Sequence, residues 1–313
     1  MAMSTTARPE RSFHLPYTQP ALRDLAFLLT SPAPWESGSN LSPAQLLGEQ
    51  GEDLLQALQQ DPGPLEHWLA QQPCQRLGHY AERLLAFWFR LAPHIELVAA
   101  NVPVRDAAGR TIGEFDFLIR LHGVPLHVET ASKFYLQLGH GADTLVGPSL
   151  RDAWVLKAAK LQEQLQLASH PAAARVLPPG FAGCASAARL AGWFFYADRP
   201  PIPAAPLSAD QLQGWLSPLQ QPWPSTSAGS RWVWLSRLGW LAPARLAEEG
   251  VREQDSLRQE LLQAAVPQLV AELLPVGDGC WEEVARGFVV PPGWPQQQRL
   301  QDLLASIDRT LHR

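Results

Sequence analysis

Residues 95–136 read IELVAANVPVRDAAGRTIGEFDFLIRLHGVPLHVETASKFYL. Three runs rich in β-branched and aromatic residues, 95–104, 111–121 and 124–136, are separated by the turn Asp106-Ala107-Ala108-Gly109 and by His122-Gly123. Turn residues between alternating runs predict a three-stranded meander. Strict alternation along the second run puts Phe115, Phe117 and Ile119 on one face and Glu114, Asp116 and Leu118 on the other. In the third run His127, Glu129, Ala131, Lys133 and Tyr135 share a face, and Leu126, Val128, Thr130, Ser132, Phe134 and Leu136 share the opposite one. If the two strands pair with these faces on the same side, Asp116, Glu129 and Lys133 converge, with Glu114 at the edge.

Working outward from the meander, Leu77, Tyr80, Ala81, Leu84, Phe87 and Trp88 recur at helical spacing over 75–92, and Pro93 stops that helix. Helical stretches are expected before it, at 22–29 and 43–58. After the meander, Ser149 and Asp152 have the spacing of a capping box, predicting a helix from 149 to about 168. The apolar run Gly192-Trp193-Phe194-Phe195-Tyr196-Ala197 predicts a strand buried on both faces. Residues 199–206, with four prolines, read as a stiff linker. Beyond it the pattern predicts a short helix at 211–216, a strand at 232–237, a long amphipathic helix over 243–274, a strand at 287–290 and a final helix from 296. The fold class is therefore α/β, a mixed sheet flanked by helices. A helical segment (1–70) precedes a core (71–200) and an α+β extension (201–313).

Of 313 residues 46% are hydrophobic and 18% charged, which excludes an intrinsically disordered chain. Twenty-five basic against thirty acidic residues give a net charge of -5, so any nucleic-acid site must be local rather than a cationic coat. The three cysteines, Cys74, Cys184 and Cys280, form no C-x-x-C pair, which argues against a zinc knuckle or a disulfide framework and for a reducing cytoplasm. The opening MAMSTTARPERSFHLPY has no apolar run, so neither a signal peptide nor a membrane span is expected. Absence of P-loop, G-x-G-x-x-G, H-E-x-x-H and G-x-S-x-G patterns removes the usual support for nucleotide hydrolysis, dinucleotide redox chemistry, zinc proteolysis and serine hydrolysis. Trp88, Trp154 and Trp193 sit in apolar runs and read as core.

Only three of the 25 basic residues are lysine: Lys133, Lys157 and Lys160. A compact ammonium approaches a phosphate or a water as a point charge, which a planar guanidinium cannot do in a narrow site. Lys157, Lys160 and Gln164 follow i, i+3, i+7 spacing on one helix face and can meet a phosphate backbone of DNA or RNA. Carboxylates held close together repel and raise one another's pKa, and a hard divalent cation, Mg²⁺ or Mn²⁺, reverses that penalty. His127, on the face of Glu129, is a candidate supporting partner.

Leu77-Gly78-His79-Tyr80-Ala81-Glu82, Gly113-Glu114-Phe115-Asp116 and Val128-Glu129 followed by Lys133 together resemble the signature of the PD-(D/E)XK phosphodiesterase superfamily. The resemblance covers about 120 residues and implies a restriction-endonuclease-like core in the order helix, three strands, helix, strand. It also implies Mg²⁺-dependent phosphodiester hydrolysis, with Asp116 and Glu129 as metal ligands, Glu114 beside them, and Glu82 and Lys133 as catalytic residues. The sequence departs from the pattern at one point. The motif spaces acid and lysine two residues apart, but Glu129 and Lys133 are four apart, and Ala131 stands where the acid is expected. A bulge in 130–132 shortens the gap, or Glu114 or Glu82 replaces the ligand, or the fold is catalytically inactive and serves as a binding or assembly module. The whole chain also resembles an uncharacterised bacterial family, domain of unknown function 1853. The stretches that carry this are Leu22-Arg23-Asp24-Leu25-Ala26, residues 128–136, Gly147-Pro148 with Asp152 and Lys157, and residues 286–290 with Trp294. That resemblance implies that the flanking segments belong to one unit with the core.

Overall fold

The computed structural model describes residues 13–198, 203 and 205–312. In chain order, α1 (Pro20–Thr30), α2 (Pro43–Leu47), α3 (Gly51–Gln60), α4 (Gly63–Ala70) and α5 (Leu77–Leu91) precede the meander β1 (Ile95–Arg105), β2 (Thr111–Leu121) and β3 (Val124–Gln137). A short β4 (Leu145–Val146) then leads into α6 (Trp154–Leu165) and β5 (Ala185–Tyr196). The remainder is β6 (Leu212–Pro218), β7 (Arg231–Leu235), β8 (Arg245–Ala247), α7 (Gln254–Leu261), β9 (Gln268–Gly277), β10 (Cys280–Val290) and α8 (Gln297–Leu311).

Among the described residues the ten strands form one mixed sheet, ordered β1-β2-β3-β5-β6-β10-β9-β7, with β4 on β3 and β8 on β10. The meander pairs antiparallel, and β3, β5, β6 and β10 run parallel to their neighbours at the centre. Parallel central strands must be covered on both faces, which explains why β5 is buried without interruption from Ala187 to Tyr196. On one face α1 and α5 pack on Phe117, Val128, Phe134, Trp193 and Phe288. The other face carries α6 and α8 over Ala131, Tyr135, Leu190 and Phe194. The sheet crosses the expected boundary at 200/201 through the β5–β6 pairing.

Two glycines allow the close approaches at its centre. A Cβ on Gly287 meets the Trp215 ring at 2.0 Å, and one on Gly192, at φ +148°, meets the Lys133 carbonyl oxygen at 1.8 Å. The N-terminal helix is locked from the far side of the sequence. Arg189 on β5, fully buried, donates to the carbonyls of Leu28 and Ser31 and to Ser31 Oγ, supplying the cap that α1 lacks in its own last turn. Asp24 of α1 accepts from the Ala242 N–H (3.0 Å) and from Tyr80 Oη (2.9 Å), which ties the helices to the C-terminal third.

The meander, the 77–91 helix, the final helix and the mixed α/β class match expectation, and Trp88, Trp154 and Trp193 are buried. Five expectations differ. The predicted helix at 211–216 is β6, because it lies between two parallel strands that satisfy its backbone on both edges. The predicted helix at 243–274 breaks into β8, α7 and β9, with Pro267 just before β9, whose Leu269 to Leu273 is buried between β10 and β7. The 43–58 stretch splits at Gly48, which sits at φ +59°. The 149–168 helix starts only at Trp154, without a side-chain cap, because Asp152 is engaged elsewhere. Strict alternation fails at Asp116: Phe117 packs edge-on against Phe89 of α5, whereas Phe115 packs on the opposite side with Leu118, Leu167 and Phe181. The register places Asn101, at φ +54°, opposite Asp116, so the partner strand is distorted at the same level. Most of the expected linker at 199–206 lies outside the described residues.

Candidate active-site cleft

β2 and β3 pair only as far as Phe117 and Val128. Beyond that point they diverge, and the Asp116 carboxylate takes over the pairing, accepting at Oδ2 from the Thr130 N–H (2.8 Å) and the Thr130 hydroxyl (3.0 Å). The next acid is held from beneath: His127, fully buried, meets Glu129 Oε1 through Nε2 at 2.7 Å and Ser186 Oγ through Nδ1 at 3.3 Å. Glu129 is 2% exposed. One oxygen of each carboxylate, Asp116 Oδ1 and Glu129 Oε2, is thus left without a hydrogen bond among the described residues.

Glu82 reaches the same place from α5. Burial, then the charges of Asp116 and Glu114, push its carboxyl up to about 7. Burial, then Glu129, lifts Asp116 to about 6, against the two Thr130 hydrogen bonds and Lys157. Lys157, on the first turns of α6, is pushed below its ordinary range by burial and then by Lys133, while Asp116 and Glu129 hold it up. Glu82, Asp116, Glu129 and Lys157 therefore form one electrostatic group.

The other candidates fall around it. Lys133 pairs with Asp152, whose carboxylate also accepts from Tyr135 Oη at 3.3 Å. The β3–β5 register runs from Leu126 to Leu136 without a shift, so a bulge at 130–132, one of the three ways of accounting for the gap, is absent. Four residues of extended strand separate Lys133 from Glu129 by about 13 Å along the chain. Glu114 is exposed at the edge of the group, and its carbonyl accepts from Gln164 Nε2 (3.1 Å). Lys157, Lys160 and Gln164 do not form one free face: Lys157 turns inward, Gln164 is tied to β2 and Lys160 stays exposed.

A cleft of about 750 Å³ adjoins the group, lined by Glu82 and the N-terminal end of α5, residues 130–135 of β3, the 147–152 loop and Lys157; Asp116 and Glu129 lie behind that lining. Arg237 and Trp240, from a 3-10 turn that follows β7 and packs beside α5, complete the lining. The sequence reading missed Asp152 as the partner of Lys133, and the lining arginines Arg76, Arg151 and Arg237. The scarcity of lysine and the shared helix face with Lys160 and Gln164 pointed at Lys157, but not at which carboxylates it meets.

The model of the domain of unknown function 1853 (DUF1853) family matches residues 23–290, from α1 through the last strand of the sheet. The chain belongs to that family. No curated protein and no solved structure matches it. The DUF1853 match spans the whole sheet, in keeping with the single hydrogen-bonded unit described above. The three cysteines are free thiols, and among the described residues no helix is long and apolar enough to cross a membrane.

Among the described residues no group of three or more His, Cys, Asp or Glu side chains is spaced to hold a metal ion by itself. Mg²⁺ commonly takes only one or two carboxylates, keeps several waters and completes its shell with substrate phosphate. The free oxygens of Asp116 and Glu129, in a pair whose charges repel, fit that smaller requirement.

Proposed function

We propose that this DUF1853 chain is a Mg²⁺- (or Mn²⁺-) dependent phosphodiesterase acting on DNA or RNA, with a restriction-endonuclease-like core. The observation that carries the reading is the grouping of Asp116, held by Thr130, and Glu129 with Glu82 and Lys157, where Thr130, Glu82 and Lys157 line a cleft that also carries Arg76, Arg151, Arg237 and Lys133. The order α5, β1 to β3, α6, β5 supports it. In this reading Asp116 and Glu129 hold the ion, which when bound supplies Lewis-acid stabilisation of phosphate charge and a more acidic water. Thr130 and His127 fix the two carboxylates, so that little reorganisation is needed when substrate arrives.

Lys157, the lysine beside both acids, orients the attacking water or contacts the phosphate as a point charge. Glu82, lining the cleft, receives or returns a proton at its carboxylate. Lys133, paired with Asp152, holds the 147–152 loop against β3. Cleavage assays on single- and double-stranded DNA and RNA test the reading. Activity should require Mg²⁺ or Mn²⁺, vanish in Asp116→Ala and Lys157→Arg, and largely survive in Lys133→Arg. Survival of activity in Lys157→Arg with its loss in Lys133→Arg would return the water-orienting role to Lys133.

A second reading, an inactive nuclease-like fold acting as a binding or assembly module, is favoured by one observation. Glu129 is almost wholly buried and bonded to His127, and Ala131 occupies the position of the expected acid. Absence of cleavage by the wild type on every substrate, with either metal, selects this reading.

A further inference from the structure

We infer that the cleft admits a single polynucleotide strand and grips its phosphates through Arg76, Arg151 and Arg237; the inference rests on the phosphodiesterase reading only in using the same cleft. The three come from distant parts of the chain: the N-cap of α5, the loop between β4 and α6, and the turn after β7. All three are exposed, and among the described residues none makes an ion pair. Arg90, Arg105, Arg175, Arg299 and Arg309 are exposed and without an ion pair too, but lie outside the cleft, and the remaining described arginines are engaged. Arg189 and Arg286 are buried with their donors used by backbone carbonyls or Glu283, and Arg110, Arg231, Arg245 and Arg258 each pair with a carboxylate.

The cleft lining gathers five cations (the three arginines with Lys133 and Lys157) against Glu82 and Asp152; Asp152 is neutralised by Lys133, and Asp116 and Glu129 act on the Lys157 end, which leaves the three arginines as the unopposed charge. In a chain of net charge -5 this concentration marks the place for a polyanion. Guanidinium groups with free donors bind phosphate oxygens in a bidentate fork. Arg237 is also pre-set: its Cζ lies 5.0 Å from the centroid of the Trp240 ring, and Trp240 is itself anchored by Nε1–H donation to the Leu235 carbonyl (3.0 Å). Stacking on the ring leaves the edge of the guanidinium free to donate.

Size decides between one strand and two. A volume of about 750 Å³ corresponds to a cube about 9 Å on a side, too small to seat both backbones of a duplex, which are held roughly 12 Å apart across the major groove. Asp116 and Glu129 do not line the cleft themselves, and Glu129 is almost wholly buried, so a phosphate must enter deeply to approach them. A lone strand can do so, while a duplex holds its backbones apart. The C-terminal third thereby gains a task, since it supplies Arg237 and Trp240 to the cleft lining, from a turn that packs beside α5.

Fluorescence anisotropy with labelled oligothymidylate, oligouridylate and a blunt DNA duplex of equal length, all in EDTA, tests it without requiring cleavage. The wild type should bind the single strands more tightly than the duplex. Arg151→Ala and Arg237→Ala should each weaken single-strand binding about tenfold at low salt and reduce the salt slope by about 0.7 per cation removed. Arg175→Ala, an exposed arginine outside the cleft, should leave binding unchanged. Duplex binding as tight as single-strand binding, or rim variants that bind like the wild type, overturns the inference, as does a wild type that binds none of the three. A wild type that grips single strands through the rim but cuts nothing with Mg²⁺ or Mn²⁺ supports the inference and removes the phosphodiesterase reading. Cleavage of duplex DNA with rim variants unimpaired does the reverse.

Discussion

Replacing Asp116 by Asn should stabilise the metal-free protein. Moving a carboxyl from its ordinary 3.8 to about 6 raises the free energy of its ionised form by about 3 kcal/mol in the folded state. Between roughly pH 4 and 6 the folded protein binds more protons at this site than the unfolded chain, so stability falls as pH rises through that window and stays low above it. Asn carries no charge. Its amide oxygen can still accept the Thr130 N–H and hydroxyl, and its amide nitrogen, in place of Oδ1, offers Glu129 a donor instead of a like charge. That rise in free energy already includes the attraction to Lys157; after subtraction of the weaker hydrogen bonds that Thr130 makes to an uncharged acceptor, the gain at pH 8 should be about 2 kcal/mol, or a rise in Tm of roughly 3 °C.

Thermal melts of the two proteins in EDTA from pH 5 to 8.5 measure it. The wild type should lose Tm as pH rises and the variant should lose less. It retains part of the slope because Glu82, up at about 7, titrates on its own account. Millimolar Mg²⁺ should raise the Tm of the wild type only. An Asn variant less stable than the wild type at pH 8, with an unchanged pH slope, would refute the repulsion argument.

Three further substitutions probe the frame that holds the site. His127→Ala removes a fully buried ring and leaves Glu129 without its hydrogen bond, and should cost about 2–4 kcal/mol in chemical denaturation; a loss below 1 kcal/mol would mean that His127 does not hold Glu129. Arg189→Met strips the cap from the end of α1 and leaves its carbonyls buried and unpaired, so a loss of about 3–5 kcal/mol is expected by urea titration. Gly287→Ala drives a methyl group into the Trp215 ring where β10 meets β6, and should prevent accumulation of folded protein, read by near-ultraviolet circular dichroism. A native spectrum in that variant would show that the sheet centre can shift to accept a Cβ.

The amino-acid sequence by itself determined the elements whose pattern is local. The α5 helix follows from 3.6-residue periodicity ended by a proline, and the three meander strands from alternation punctuated by Asp-Ala-Ala-Gly and His-Gly. The final helix and the pairing of His127 with Glu129 on one strand face belong to the same class. It also marked Lys157 as unusual, through the scarcity of lysine, without showing what it meets. Tertiary structure decided the rest, because the deciding contacts lie far apart in the chain. The 212–218 and 268–277 segments carry apolar runs that suit helix or strand equally, and they became strands because neighbours from other parts of the chain took up their backbone hydrogen bonds. Alternation failed at Asp116 because the carboxylate replaced a backbone partner on β3, opposite a left-handed Asn101. Asp152, read as a helix cap, was drawn instead to Lys133, and the straight β3–β5 register left Lys157, from a different element, as the cation beside Asp116 and Glu129. Periodicity is a property of neighbours along the chain, whereas the choice of charge partner depends on which surfaces the sheet brings within a few ångströms.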